Sequence, residues 1–382
     1  MVVVECRQLV EADVLIMNVS EHLLSTFVQR NNIEPDLFFA TQITARVARL
    51  CKRAVEVMEI DLAGMKVLTE AATGPFAVTP VLAALAGSSN VIAVTRDSRW
   101  GTAAAAIGAG LALAEYCGVA DRVTFTTHPA AQVADDCDLV TNLGFVRPIN
   151  GSIISQLSPV AAVSLMWEPW EFRPDEIDLH ALHQHQIALI ATNEHHREVA
   201  TFRYLGPTVA RLLFEAGVEL LNAKLIVLAS DPFGAHIADW LAAAGADVRR
   251  SLPVHPTDVD AVIAAEHRDK NAIFMDASET TLNDLGASGA PVIYLCGVVD
   301  RNRLGKHGIS LFPSTDVAQG VMTLTTAFAG PRPVIDLHAA GLKAGGEVVK
   351  ARRSGKSLEE AVSIAVASGY GLPVPEIQNE AS

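Results

Sequence analysis

The chain has 382 residues, half of them hydrophobic, and a formal net charge of −14. That length leaves room for two domains with a core each, and the charge argues against nucleic acid or an anionic membrane surface as a general partner. No apolar run reaches the roughly 18 residues that a membrane helix needs.

Residues 1–60 read as a helical segment. Between Thr41 and Met58 the apolar residues Val47, Leu50, Cys51, Ala54, Val55 and Met58 recur at spacings of three and four, the period of a packing helix. The N-terminal MVVVECRQLVEADV is interrupted by Glu5, Arg7, Glu11 and Asp13, so it is not read as a signal peptide. From Lys66 the pattern alternates strand and helix. Strands are expected at Val67–Glu70, Val91–Thr95, Val123–Thr126, Leu139–Asn142, Ala161–Leu165 and Ala188–Ala191. A helix over Glu198–Ala216 leads to a second run, with strands at Leu225–Leu228, Asp247–Arg249, Ala272–Met275 and Val292–Leu295. After Pro331–Pro333, helices are expected at Leu337–Lys350 and Ser357–Ala367, then a loose tail over Gly369–Pro375. The expected fold is α/β. Two Rossmann-like doubly wound parallel sheets face a cleft, with helical N- and C-terminal segments. The expected boundaries are 1–60, a first domain 61–197, a connecting helix 198–221, a second domain 222–335 and C-terminal helices 336–382.

Two stretches repeat one device. KVLTEAATGPFAVTPVLAALAG (66–87) and KLIVLASDPFGAHIADWLAAAGADV (224–248) each read as a strand, a tight turn containing Pro-Phe, and an Ala/Leu-rich helix. Nucleotide cofactors sit on such units, but neither copy carries a full G-x-G-x-x-G. The first has Glu70 at its strand end, Gly74 in its turn, Thr95-Arg96-Asp97 after the next strand, and GVADRVTF at 118–125. In these features it resembles class I S-adenosylmethionine-dependent methyltransferases, and the resemblance implies an adenosyl ligand held near Glu70, Gly74 and Asp97.

The passage from Asp138 to Glu194, with its I-D-L-x-A and T-N segments, is similar to the end of the substrate domain in D-2-hydroxyacid dehydrogenases. S-adenosylhomocysteine hydrolases share that architecture. The order of parts, with a connecting helix and then a second Rossmann-type unit, resembles the same families. That resemblance implies an NAD(P)-linked oxidoreductase with its cofactor on the second turn. The three glycine positions there hold Ala229, Asp231 and Gly234. Asp231 opposes a pyrophosphate, whereas Arg249 and Arg250, after the next strand, suit the 2′-phosphate of NADP better than the ribose of NAD.

Polar residues at strand ends complete the candidate site. Asn142 and Arg147 follow one strand, Glu168 follows another, and Asn193-Glu194-His195-His196 follows a third. A histidine beside a carboxylate serves as acid and base, so His195 with Glu194 is expected to move a proton. Arg147 is expected to clamp an acidic substrate through paired hydrogen bonds, with Asn142, Glu168, Asn193 and Asp276 lining its place. His180 and His183 share a helix face without a supporting carboxylate, so no metal is expected. Five widely spaced cysteines without a C-x-x-C argue against a disulfide framework and for a reducing cytoplasm. The expected partners are a small molecule and a second copy in a homodimer. Two further readings stand beside the oxidoreductase: a transferase using S-adenosylmethionine at the first turn, and a cofactor-free relative that binds a small molecule.

Overall fold

The computed structural model describes residues 37–315, 317 and 321–374. The expectation of helix before residue 37 lies outside them. The chain divides into two compact units. Unit 1 comprises residues up to Val199 together with Pro331 onward, and unit 2 spans Ala200–Gly330.

Unit 1 opens with helix α1 (Leu37–Val57), whose Val47, Leu50, Cys51 and Ala54 are buried at the expected spacing. Strands β1 (Lys66–Glu70), β2 (Asn90–Val94), β3 (Val123–Thr126), β4 (Leu139–Thr141), β5 (Ala162–Ser164) and β6 (Ala188–Thr192) follow within a residue or two of their expected positions. They lie parallel in the order β3-β2-β1-β4-β5-β6. This is the 3-2-1-4-5-6 order of dinucleotide-binding sheets. The helices between them are α2 (Thr79–Leu85), α3 (Ala103–Cys117), α4 (Gly151–Ile154) and α5 (Leu179–Gln184).

Both faces of this sheet are covered. Leu68, Val94, Val140, Val163 and Leu189 pack with Ile153, Ile154 and Leu182 of α4 and α5. The other face takes the long C-terminal helix α10 (Arg332–Arg353). Its glycines allow a close approach. A Cβ on Gly341 would stand 2.5 Å from Met166 Cε, and one on Gly346 would stand 2.5 Å from Leu62 Cδ2. Ser164 Oγ donates to the Gly341 carbonyl at 2.7 Å.

Helix α11 (Leu358–Ala367) is followed by a strand where a loose tail was expected. β12 (Gly371–Pro373) pairs antiparallel with β6 at the sheet edge. Its proline is tolerated there because an edge strand needs no donor on its outer side. A tripeptide is too short to carry a periodicity, so only the docking partner reveals it.

Unit 2 holds β7 (Lys224–Leu228), β8 (Asp247–Arg249), β9 (Ala261–Ala265), β10 (Val292–Cys296) and β11 (Leu311–Phe312) in the parallel order β11-β10-β9-β7-β8. Counted from β7, this is 2-1-3-4-5, the other common doubly wound order. Its helices are α6 (Leu205–Glu215), α7 (Phe233–Ala243), α8 (Glu279–Ser288) and α9 (Arg301–Lys306). The expected strand Ala272–Met275 is corrected: the strand is Ala261–Ala265, with all five residues buried. Ala272 makes a single bridge to Val298, and the chain then turns. Arg303 holds that turn by donating to the carbonyls of Phe274 at 3.0 Å and Ala277 at 2.6 Å. Both segments are short apolar runs, and periodicity alone does not separate them.

Titratable groups shifted by burial shape the pH response of unit 1. Burial pushes the His338 imidazole down to about 4; its Nδ1 shares a 2.6 Å hydrogen bond with Thr79 Oγ1 under α2. Burial pushes Asp336 and Glu171 up to about 7. A carboxyl raised on folding binds more protons folded than unfolded between pH ~4 and ~7, so its contribution falls as pH rises across that window. A depressed histidine acts oppositely between about pH 4 and 6.5. These carboxyls, with Glu70 raised in the same direction, outweigh the one histidine, so stability is expected to fall from pH 4.5 to 8. Asp336→Asn should flatten that slope. At pH 8 it should raise stability by roughly 2–4 kcal/mol, because each tenfold change in a group's proton affinity is worth about 1.4 kcal/mol. Urea unfolding at pH 4.5, 6 and 8 measures both slopes; parallel curves for the two proteins would refute the assignment.

Candidate functional site

In open α/β sheets, ligands gather where the strand order reverses, outside the carboxyl ends of the strands. In unit 1 that point lies between β1 and β4. Glu70 ends β1, is buried, and accepts the Phe145 amide of the loop after β4 at 3.1 Å. Burial pushes its carboxyl up, while the amides of Phe145 and Gly144 and the charges of Arg147 and Arg96 oppose that. A Cβ on Gly144 would stand 3.5 Å from Glu70 Oε2 and 3.8 Å from Arg147 Nη2, so these groups crowd one corner.

The β1 turn follows. Gly74 has φ +60, a conformation that suits glycine, and nothing stands within 4 Å of the place a Cβ would take. With the turn's backbone in place, Ala72-Thr73-Gly74-Pro75-Phe76-Ala77 aligns with G-x-G-x-x-G/A: the second glycine is kept and alanine stands at the third position. Pro75 offers no amide.

The loop after β2 is tied to this turn. Thr73 Oγ1 donates to the Trp100 carbonyl at 3.2 Å, and Ser98 and Gly101 bridge back to back. Arg99 lies 4.6 Å from the centroid of the exposed Trp100 ring. Arg96 lies 5.2 Å from the Phe145 ring centroid. Asp97 accepts the Ala103 amide at 2.8 Å and so opens α3. Thr95 Oγ1 and Asn142 Nδ2, at the ends of β2 and β4, are buried and have no hydrogen-bond partner among the described residues. Sequence reasoning reaches Thr95, Arg96 and Asp97 but misses Arg99 and Trp100, although the Arg-Trp pair in the run 96–100 could have signalled them.

The ends of β4, β5 and β6 form a second polar group. Asn142 Oδ1 accepts the Met166 amide at 2.8 Å. Glu168 and Glu194 are both buried; Glu168 Oε1 accepts the Glu194 amide at 3.3 Å and stands 3.8 Å from His195 Nε2. The histidine therefore has a carboxylate partner, Glu168, that comes from the segment after β5. Asn193 joins this segment to the C-terminal strand, donating to the Gly369 carbonyl at 2.8 Å and accepting the His195 amide at 3.1 Å. Arg147 pairs with Glu176 through Nη1 and lies 5.1 Å from the Trp167 ring centroid. Glu171, beside Glu168 and Arg173, keeps a proton near neutrality because it is buried.

Unit 2 treats its turn differently. Asp231 Oδ1 accepts the Ala235 amide at 3.0 Å and Arg250 Nη2 at 2.7 Å, so the protein's own carboxylate occupies the start of α7. The Arg250 hydrogen bond holds the Asp231 carboxyl below its usual range. Gly234 is packed under Arg250 and the Ala229 carbonyl, leaving no room for a Cβ. Glu266, at the end of β9, accepts both the amide and the hydroxyl of Ser230 at 2.8 Å, closing the reversal point from its other side. Arg249 instead lines a small cavity of about 150 Å³ with Lys224, His255 and Asp258. Asp276, expected after a strand, is exposed on the corrected turn and does not follow one.

Among the described residues, no cluster of ligating side chains is arranged for a metal ion, and no helix is long and apolar enough to cross a membrane. No protein-family model matches the chain, and no curated protein does. Among solved structures it is similar to the A chain of dipicolinate synthase from Bacillus subtilis, at 14% identity and a TM-score of 0.49, covering 78% of this chain and 100% of that one. It is similar to the pyruvate reductase of Chlamydomonas reinhardtii at 12% identity and 0.45, covering 76% and 97%. It is also similar to an NAD-dependent formate dehydrogenase from Staphylococcus aureus in complex with NAD, at 12% and 0.41, covering 76% and 96%. These neighbours are of the two-domain dehydrogenase kind expected from the order of parts. At this distance they carry no weight for function; the two-sheet Rossmann-type architecture rests on the strand orders themselves.

Proposed function

We propose that the chain is a nicotinamide-dependent oxidoreductase whose dinucleotide sits on unit 1, over the β1 turn. The observation that supports this most is the contrast between the two turns. The β1 turn stands at the reversal point of a 3-2-1-4-5-6 sheet and keeps open space before Gly74. The β7 turn is already filled by Asp231 and Arg250. A pyrophosphate meets bare backbone at the first and a carboxylate at the second.

The residues present fit a dinucleotide. Thr95 and Asn142 offer buried polar atoms in need of partners. Arg96 and Arg99 follow β2, where an acid would select the ribose of NAD, and their charge favours a 2′-phosphate. The cofactor would be NADP, and when bound it would supply the hydride acceptor or donor. The substrate would be a small acidic metabolite beside the ends of β4 to β6. There Arg147 would hold its carboxylate and His195, oriented by Glu168, would exchange the hydroxyl proton.

The test is a thermal-shift titration with NADP, NAD, S-adenosylmethionine and S-adenosylhomocysteine. NADP should stabilise the protein by mass action, by about 2.7 kcal/mol at a hundredfold excess over Kd. Arg96→Ala combined with Arg99→Ala should weaken NADP by tenfold or more, at about 1.5–3 kcal/mol for a charged hydrogen bond, and should leave NAD nearly unchanged. A shift with the adenosyl sulfur compounds alone would replace this reading with the transferase. The same NADP shift in Arg250→Ala as in the wild type is expected; its loss there would return the cofactor to unit 2.

A further inference from the structure

Helix α1 exposes Arg46, Arg49, Lys52 and Arg53 on one side. Arg46 to Arg49 and Arg49 to Lys52 are three residues apart, and Arg49 to Arg53 four, so each of these pairs adjoins on the helix surface and repels. No ion pair with a carboxylate relieves any of the four among the described residues. With Arg332 from the start of α10 they line an open groove of about 780 Å³. Among the described residues Glu56 is the carboxylate lining it, and Tyr116 of α3 also lines it and is 47% exposed. Arg53 and Arg332 also feel the half-buried Asp336, whose carboxyl is pushed up to about 7 and so offers them only part of a negative charge near neutrality.

This concentration of cations runs against the rest of the chain, which carries −14 overall. Screening confines each charge to about 8 Å in physiological salt, so a local positive groove survives in an acidic protein. Four arginines give forked donors that match phosphate oxygens in pairs. The groove falls in the size range of small-molecule sites, roughly 300–1,000 Å³, larger than one phosphate needs. An exposed aromatic ring in its lining suits a planar base.

We propose that the α1 groove binds a multiply charged organic phosphate of the nucleoside di- or triphosphate class, with Arg46, Arg49, Arg53 and Arg332 on its phosphates and Tyr116 against its base. None of these residues belongs to the β1 turn, so the proposal stands apart from the cofactor reading.

Calorimetric titration of the full chain with pyrophosphate and with ATP, at 50 and 300 mM salt, tests it. Both should bind, and the higher salt should weaken each several-fold. The exposed double variant Arg49→Ala/Arg53→Ala should weaken both at least tenfold while leaving stabilisation by NADP intact. Tyr116→Ala should weaken ATP and spare pyrophosphate. Absence of binding at low salt, or equal binding by the double variant, overturns the proposal. So does a wild type that binds neither anion but sediments as a dimer that the double variant dissociates, because the face would then be an interface between copies.

Discussion

Gly74→Val should abolish the stabilisation of this protein by NADP while leaving unit 1 folded. Gly74 sits at φ +60, where a β-branched residue is strained by roughly 1–2 kcal/mol. No atom stands within 4 Å of an added Cβ there, so the fold is expected to tolerate the substitution. That same space is where the cofactor's phosphates approach the backbone in the proposed pose. Binding is therefore lost by occlusion, and stability falls only by the strain. Gly74→Ala separates the two effects: it carries most of the strain with a smaller obstruction, so it should retain weakened binding. The readout is the NADP-induced shift in each variant at equal ligand excess, with circular dichroism to confirm the fold. An undiminished shift in Gly74→Val would remove the cofactor from the β1 turn.

The largest loss of stability is expected from Gly345→Leu. Helix α10 lies against the sheet on glycines. A Cβ at Gly345 runs into Leu139 Cδ1 and comes within 3.1 Å of Ser164 Cβ, on two adjacent strands. A whole leucine there must push the helix off the sheet. Overpacking costs about 1–3 kcal/mol or more, and the gain in helix propensity over glycine returns only about 1. The displaced helix also carries His338, whose hydrogen bond to Thr79 ties it to α2. At the upper end of that range the net cost is about 2 kcal/mol, and at about 2–4 °C per kcal/mol for a unit of this size the midpoint of unit 1 should fall by about 4–8 °C. Gly305→Ala is the control. Gly305 lies in α9 of unit 2 with nothing within 4 Å of an added Cβ, so the same kind of change should be neutral or stabilising there. A Gly345→Leu protein that melts with the wild type would show that α10 does not rest where its glycines place it.

The elements were largely legible in the chain. Val67–Glu70 and Val91–Thr95 are short, largely apolar runs set between helical periodicities, and they lie within a residue or so of β1 and β2. Local pattern suffices there because a buried parallel strand must be apolar nearly throughout. The same rule failed at Ala272–Met275, whose run is as apolar as Ala261–Ala265 but whose backbone carbonyls are taken by Arg303, 29 residues from Phe274 along the chain. The site was legible as a set of polar strand ends and not as an arrangement. Glu194 and His195 adjoin in sequence, yet the histidine also meets Glu168, which arrives from the loop after another strand.

The sequence by itself determined an α/β chain with two turn-bearing units, a negative net charge and a set of polar residues at strand ends. Composition and periodicity carry that information because burial demands it residue by residue. Only the tertiary structure decided which turn is open. Asp231 reads in sequence as an obstacle to phosphate, but its pairing with Arg250 and the Ala235 amide turns the arginine that suggested NADP into part of the obstruction. Gly74 reads as the lone survivor of a worn motif. Its positive φ, the clear space before it and the strand order around it make it the open turn. Strand order and charge pairing depend on contacts between residues far apart in the chain, and no local pattern encodes them.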